Sequence, residues 1–355
     1  MSALDVERVR AFAQHVAGLL AGGATTAMMV LGDRVGLYAA LAGAQRLTPA
    51  ALAERTGTAE RYVREWLAQQ TAVGLVLYDA HDGTFSLPPE HAAVLASDDS
   101  PAAMIGAAPL VSGMHRRIEE LAEAFSTGQG IPWADQDPST FESTERFFRV
   151  GYRNSLVGEW IPALTDTEDK LRSGCRVVDV GCGHGAPLLL LAEAFPNSTF
   201  TGYDVHEAGV QVARQRAEEA GVSDRVTFEV ADAQAYQDQG VDLLTFFDAL
   251  HDLGDPVGAA THARRALAED GRLVLVEPRA ADDLATTLAT VPMAAMGYAA
   301  STFLCTPNAL SQPGGLALGS LAGEKRLGEV LTQASFSRVE RVAENDFNIV
   351  IEATP

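Results

Sequence analysis

From Cys175 to the C-terminus the chain alternates short apolar runs with amphipathic segments at a regular spacing, and few architectures accept that pattern. RVVDV (176–180), STFTGYDV (198–205), RVTFEVAD (225–232), VDLLTFFDA (241–249) and RLVLVEP (272–278) read as strands. Between them lie predicted helices: APLLLLAEAF, stopped by Pro196-Asn197; HEAGVQVARQRAEEAG, ended by Gly221; and a segment capped by Asp255-Pro256 that runs to Gly271. Such alternation requires right-handed crossovers and a parallel sheet with helices on both faces. The expectation for this half is a Rossmann-like α/β domain.

The first strand breaks into a loop of three glycines in VVDVGCGHG, at Gly181, Gly183 and Gly185. At the carboxyl end of a parallel sheet, a glycine turn lets a ligand approach the backbone. Asp204 ends the next strand, where a carboxylate accepts hydrogen bonds from ribose hydroxyls. Ala186 stands where a dinucleotide fingerprint would place its third small residue, so the spacing alone leaves NAD open. Asp179, inside the strand, repels a pyrophosphate and suits an ammonium or a sulfonium.

The 355 residues are 47% hydrophobic and 21% charged, a globular composition that excludes a disordered or fibrous chain. The apolar stretches read as short or interrupted, and MSALDVERVR has no apolar block behind a basic start, so a soluble cytoplasmic protein is expected. Cys175, Cys182 and Cys305 are too few and too irregular for a disulfide framework or a zinc site. They are read as packing residues, and no metal is expected. A net charge of −21 without a basic patch excludes nucleic acid and anionic membranes as expected partners.

Residues 1–100 read as helical and end in two short strands around Asp82-Gly83. Thr48-Pro49 opens one helix that closes at Gly57. Thr58 is read as the cap of the next, with Tyr62, Trp66 and Leu67 on one face. Helix, turn, helix and hairpin make a winged-helix pattern. Seven arginines and no lysine stand against eleven acidic residues there, which favours packing or dimerisation over DNA reading. Residues 101–160 read as a helical connector whose Phe148 and Tyr152 are candidate walls of a substrate pocket.

The motif DVGCGHG resembles the first motif of class I S-adenosylmethionine-dependent methyltransferases, a likeness that extends over residues 160–355. It implies a seven-stranded sheet in residues 161–355, with SRVERVAE and FNIVIEATP as antiparallel sixth and seventh strands. It also implies that Asp179, Gly181, Gly183 and Gly185 contact the methionine part of S-adenosylmethionine, that Asp204 holds the ribose, that Asp232 lies beside the adenine amine, and that Phe247 and Asp248 flank the cofactor. S-adenosylhomocysteine would be the product. A winged helix, a helical connector and this fold are together similar to small-molecule O-methyltransferases of natural-product pathways, in which the N-terminal domain dimerises. By that likeness His251, in the His251-Asp252 pair, is the general base, and Asp248, three residues earlier, would orient its ring if residues 248–252 were helical. Asp252 would point elsewhere. The apolar stretch 282–307 supplies Met293, Met296, Tyr298 and Phe303 as further substrate-pocket candidates. The expected activity is methyl transfer to an oxygen of a secondary metabolite. The alternatives are transfer to N, C or S, or a cofactor-binding regulator without catalysis.

Overall fold

The computed structural model describes residues 4–355, which divide into two compact units: residues 4–116 with 138–150, and residues 117–137 with 151–355. In the first unit, helices Val6–Arg34, Leu37–Leu41, Pro49–Thr56 and Glu60–Ala72 precede a hairpin of β1 (Leu77–Asp79) and β2 (Thr84–Ser86). Thr48 caps Pro49–Thr56 by accepting from the Ala51 N–H at 3.2 Å, and Gly57 ends it at φ 65°. The next helix is entered through Ala59, with no side-chain cap, because the Thr58 hydroxyl pairs with Thr56 at 2.8 Å. Trp66 and Leu67 are buried but Tyr62 is 80% exposed, so these three do not share a face.

Leu37, Leu41, Leu52, Val63, Trp66, Leu67 and Phe85 form the core of this unit. Trp66 lies against Gly32 with its Nε1 donating to the Met28 carbonyl at 2.9 Å. The sequence expectation of short apolar stretches fails at Val6–Arg34, a continuous 29-residue helix long and apolar enough, by length and composition, to cross a membrane. Only its last third packs into the core; residues 4–24 are exposed throughout.

The second unit holds a seven-stranded sheet of β3 (Arg176–Val180), β4 (Thr199–Asp204), β5 (Val226–Val230), β6 (Val241–Phe247), β7 (Leu267–Pro278), β8 (Arg338–Glu344) and β9 (Asn348–Thr354). Their spatial order is β5-β4-β3-β6-β7-β9-β8, with β8 and β9 antiparallel to their neighbours. The reversal of strand order falls between β3 and β6, which pair in parallel, and a crevice at that point is where such sheets bind ligands. Val178, Leu244, Phe246, Leu273, Leu275 and Ile351 fill the core beneath helices Pro256–Ala266 and Glu324–Gln333. Truncating a fully buried leucine such as Leu244 to alanine is a change worth about 2–5 kcal/mol. Pro256–Ala266 ends five residues short of Gly271, where the sequence placed its end: the chain turns extended at Leu267 to pair with Val241.

Candidate active site

Gly181, Gly183 and Gly185 all adopt left-handed backbone, at φ 80°, 49° and 77°, a conformation that costs other residues about 1–2 kcal/mol. Their surroundings differ. A Cβ on Gly185 would lie 2.5 Å from the Phe228 ring, and one on Gly181 would lie 2.6 Å from the Ala249 Cβ. A Cβ on Gly183 would meet nothing within 4 Å. Two of the three glycines therefore serve the packing of the protein against itself, and Gly183 alone leaves an open approach.

Asp204 ties this loop down. One carboxylate oxygen accepts from the Gly183 N–H and the other from the His206 N–H, both at 2.8 Å. Burial pushes its pKa up, while these backbone donors oppose the shift. Each oxygen keeps a lone pair for a further donor.

Asp179 is fully buried, with one oxygen accepting from the Thr245 hydroxyl at 2.8 Å and the other, Oδ2, without any partner. Burial pushes its carboxyl up to about 7, with Thr245 opposing and Asp204 adding to the rise. A buried carboxylate oxygen short of a donor is costly, and a cation placed beside it removes the cost. The orphaned oxygen and the open face of Gly183 fit the ammonium-bearing end of S-adenosylmethionine. Asp232 is exposed, accepting from the Gln234 N–H at 2.8 Å just beyond β5.

The acceptor side is assembled differently. Phe247, 6% exposed, ends β6 and meets the Tyr152 ring edge-on at 5.5 Å. Asp248 follows with left-handed backbone at φ 51°, and only Leu250–Asp252 forms a single tight turn. The carboxylate of Asp248 accepts from the Tyr152 hydroxyl at 2.6 Å and from the Asn348 amide at 2.8 Å. Burial, opposed by the Tyr152 hydrogen bond, raises Asp248 to about 7. The expected support of His251 by Asp248 is thus replaced, because the backbone at Asp248 is not helical.

Glu277, the residue beyond the Phe247–Val276 pairing, supplies that support. Its Oε2 lies 2.5 Å from His251 Nδ1, and its Oε1 accepts from the backbone N–H groups of Leu250 at 3.0 Å and His251 at 3.3 Å. His251 Nε2 faces Asp252 Oδ1 at 3.3 Å, contrary to the expectation that Asp252 points elsewhere. Desolvation lowers the pKa of the buried imidazole, but Glu277, Asp252 and then Cys305 outweigh it and raise the net value well above the usual histidine range. The Asp252 backbone is fixed in turn, its carbonyl accepting from the Asn308 and Gln312 amides at 3.0 Å.

Cys305 enters from a π-helical turn, Ser301–Cys305, inserted between helices Ala294–Ala300 and Thr306–Leu310. A second π turn, Leu156–Trp160, follows Tyr152. Such single turns recur at functional sites because they re-aim side chains within a helix. Cys305 is buried as a packing residue would be, yet its Sγ lies within 4.8 Å of both the His251 and Asp252 ligand atoms. Tyr152 is 6% exposed and committed to Asp248. Met293, Met296, Tyr298 and Phe303 are half-buried along the inserted helices. Phe148 belongs to the first unit, with its ring 5.3 Å from that of Phe147.

Residues 171–334 match the family model described as a methyltransferase domain, and residues 23–97 match the Rv2258c-like winged HTH domain. The chain therefore carries a methyltransferase domain behind a winged helix-turn-helix domain. A relative, 27-O-demethylrifamycin SV methyltransferase of Amycolatopsis mediterranei, is 39% identical over 107 residues, 30% of this chain and 39% of that protein. The chain spans about two fifths of the length of the first curated relatives it matches. Among solved structures, an O-methyltransferase family protein of Burkholderia thailandensis superposes with a TM-score of 0.68 at 15% identity, covering 99% of each chain. The mitomycin 7-O-methyltransferase MmcR superposes at 0.69 and 22%, covering 98% and 100%. At these identities both show a shared fold.

Proposed function

We propose that this protein transfers a methyl group from S-adenosylmethionine to an oxygen of a small-molecule secondary metabolite. The observation that carries the reading is the clamped imidazole of His251, fixed through Nδ1 by Glu277 at the end of β7 and set beside the strand whose glycine loop faces the switch point. Bound S-adenosylmethionine supplies an electrophilic methyl group on a sulfonium. Asp179 Oδ2 would take its ammonium and Asp204 its ribose hydroxyls, with Gly183 at the open approach. Asp232 and Phe247 would border the adenosine. Proximity and alignment of the acceptor oxygen with the methyl group supply much of the rate. His251 Nε2 would take the acceptor's proton, and Glu277 would hold the imidazolium that results. Met293, Met296, Tyr298 and Phe303 offer adaptable apolar surface for a flat acceptor. The names of the O-methyltransferase relative and neighbours support the choice of oxygen.

The same reading includes a homodimer through the first unit. Among the described residues the stretch 4–24 is exposed throughout and presents Val9, Phe12, Leu19 and Leu20 to solvent, more apolar surface than a single copy tolerates in water. A second copy of the helix covers it without moving the last third out of the core. Light scattering should give a dimer that Leu19→Glu with Leu20→Glu converts to a monomer. Flotation of the wild-type chain with neutral lipid vesicles would instead assign the helix to a membrane.

The cofactor reading is tested by calorimetry. S-adenosylhomocysteine should bind at micromolar concentration or tighter, and Asp204→Ala should weaken it by about 1.5–3 kcal/mol, as for hydrogen bonds to a charged group. Unaltered affinity in that variant would remove Asp204 from the ribose site.

A further inference from the structure

We propose that His251, Asp252 and Cys305 form a binding site for a thiophilic divalent cation of the zinc class, with His251 Nε2, an Asp252 carboxylate oxygen and Cys305 Sγ as its three protein ligands. The three ligand atoms lie within 4.8 Å of one another. The Nε2–Oδ1 separation of 3.3 Å is long for a charge-assisted hydrogen bond, which runs at about 2.7–2.9 Å. A tetrahedral zinc ion with bonds of about 2.0–2.1 Å holds nitrogen and oxygen ligands about 3.3–3.4 Å apart. Asp252 Oδ1 is buried, and the polar neighbours of this carboxylate are the other two ligands, His251 Nε2 and the Cys305 thiol.

The surroundings match what a metal-bound histidine requires. Such a histidine presents one ring nitrogen to the ion and donates the other N–H to a carboxylate, which fixes the ring and raises its basicity. Glu277 occupies that position on Nδ1 at 2.5 Å, and its own side chain is 1% exposed. Cys305 is a free, buried cysteine, and a buried thiol keeps its proton until a cation displaces it. Binding the cation sends that proton and the Nε2 proton to solvent, leaving a neutral imidazole, a carboxylate and a thiolate around the ion. Three ligands with a fifth of the Asp252 side chain still open leave a fourth position for water or an oxygen ligand.

The assignment of ligands does not depend on the methyl-transfer reading, but one consequence rests on it. A cation on Nε2 removes the only ring nitrogen of His251 that Glu277 leaves free to accept a proton, so zinc would compete with the hydroxyl acceptor and inhibit.

The test titrates the full-length protein, free of added metal, with cobalt(II) chloride and then with zinc chloride. Saturable binding of one cobalt per chain is expected, with a thiolate-to-cobalt charge-transfer band that zinc abolishes. Cys305→Ser should lose the band while still binding S-adenosylhomocysteine as the wild type does, and Cys175→Ser should keep it. Asp252→Asn should retain the band and weaken cobalt binding at least tenfold, which keeps the test decisive if Cys305→Ser does not fold. Absence of saturable binding, a band that survives Cys305→Ser, or unchanged affinity in Asp252→Asn would each overturn the site. None of these outcomes bears on whether the chain transfers methyl groups, which S-adenosylhomocysteine binding and turnover measure separately.

Discussion

The two sides of the site are built from different materials. On the cofactor side, a single strand, loop and helix present backbone N–H groups and glycine conformations, with Asp204 pinning the loop from the adjacent strand. On the acceptor side, Glu277, His251, Asp252 and Cys305 come from a strand end, a tight turn and a π turn far apart in the chain, and their charges face one another under cover. On the cofactor side the loop backbone at Gly181 and Gly185 is fixed by sterics and should be sensitive to volume, while charge enters at two isolated carboxylates, Asp179 and Asp204. The acceptor side is fixed by electrostatics and should respond to pH and to isosteric loss of charge.

The largest effect should fall on His251. His251→Ala is expected to lower kcat by roughly 10²–10⁴ for a hydroxyl acceptor while leaving S-adenosylhomocysteine affinity unchanged, because the proposed base would act on the acceptor and not on the sulfonium. A variant that keeps most of its turnover from pH 6 to 9 would leave proximity as the main catalytic device and dissolve the contrast between the two sides.

Glu277 tests the electrostatic half more finely. A base works only when deprotonated, so the rate should fall as pH drops through the raised pKa of His251 and not at the ordinary histidine value. Glu277→Gln removes the first of the groups that raise it, so the acidic limb of the pH–rate profile should move to lower pH. Leaving the buried imidazolium with one partner fewer should also cost about 3–5 kcal/mol of stability, read by denaturant unfolding. A profile that stays in place would deny Glu277 its role.

Much of this was legible in the sequence where the chain itself is local. The glycine loop, Asp204 and the strand–helix alternation are short-range patterns, and each appears where its spacing implied. Asp248 misled because three residues of separation suggest one helical face, whereas its left-handed backbone turns the carboxylate to Tyr152 and Asn348, contacts that span 96 and 100 positions. Glu277 offered one signal, a carboxylate closing the apolar run RLVLV, but its partner is set by the register of β6 against β7. Cys305 offered none, since a π turn in an apolar stretch aims it at His251. Tyr62 was misplaced by periodicity, which locates a helical face but not the edge of the core.

A smaller effect separates the glycines of the loop. Gly185→Ala meets both a left-handed backbone and the Phe228 ring, and should lower the melting temperature more than Gly183→Ala, which meets only the backbone strain of about 1–2 kcal/mol. Gly183→Ala should instead show its main loss in S-adenosylhomocysteine affinity. Equal melting temperatures would mean that the loop gives way at Gly185.

The most direct test of the cofactor site is a calorimetric titration of the full chain with S-adenosylhomocysteine across pH 6 to 8. The buried carboxyl of Asp179, raised to about 7, must be ionised to hold an ammonium. Affinity should therefore be highest above pH 7 and fall by up to about tenfold per pH unit below it, as each binding event has to release a proton. Asp179→Asn should flatten that dependence and weaken binding at pH 8. Binding of NAD with none of S-adenosylhomocysteine, or an affinity for the latter that is indifferent to both pH and Asp179, would contradict the assignment of this loop to S-adenosylmethionine.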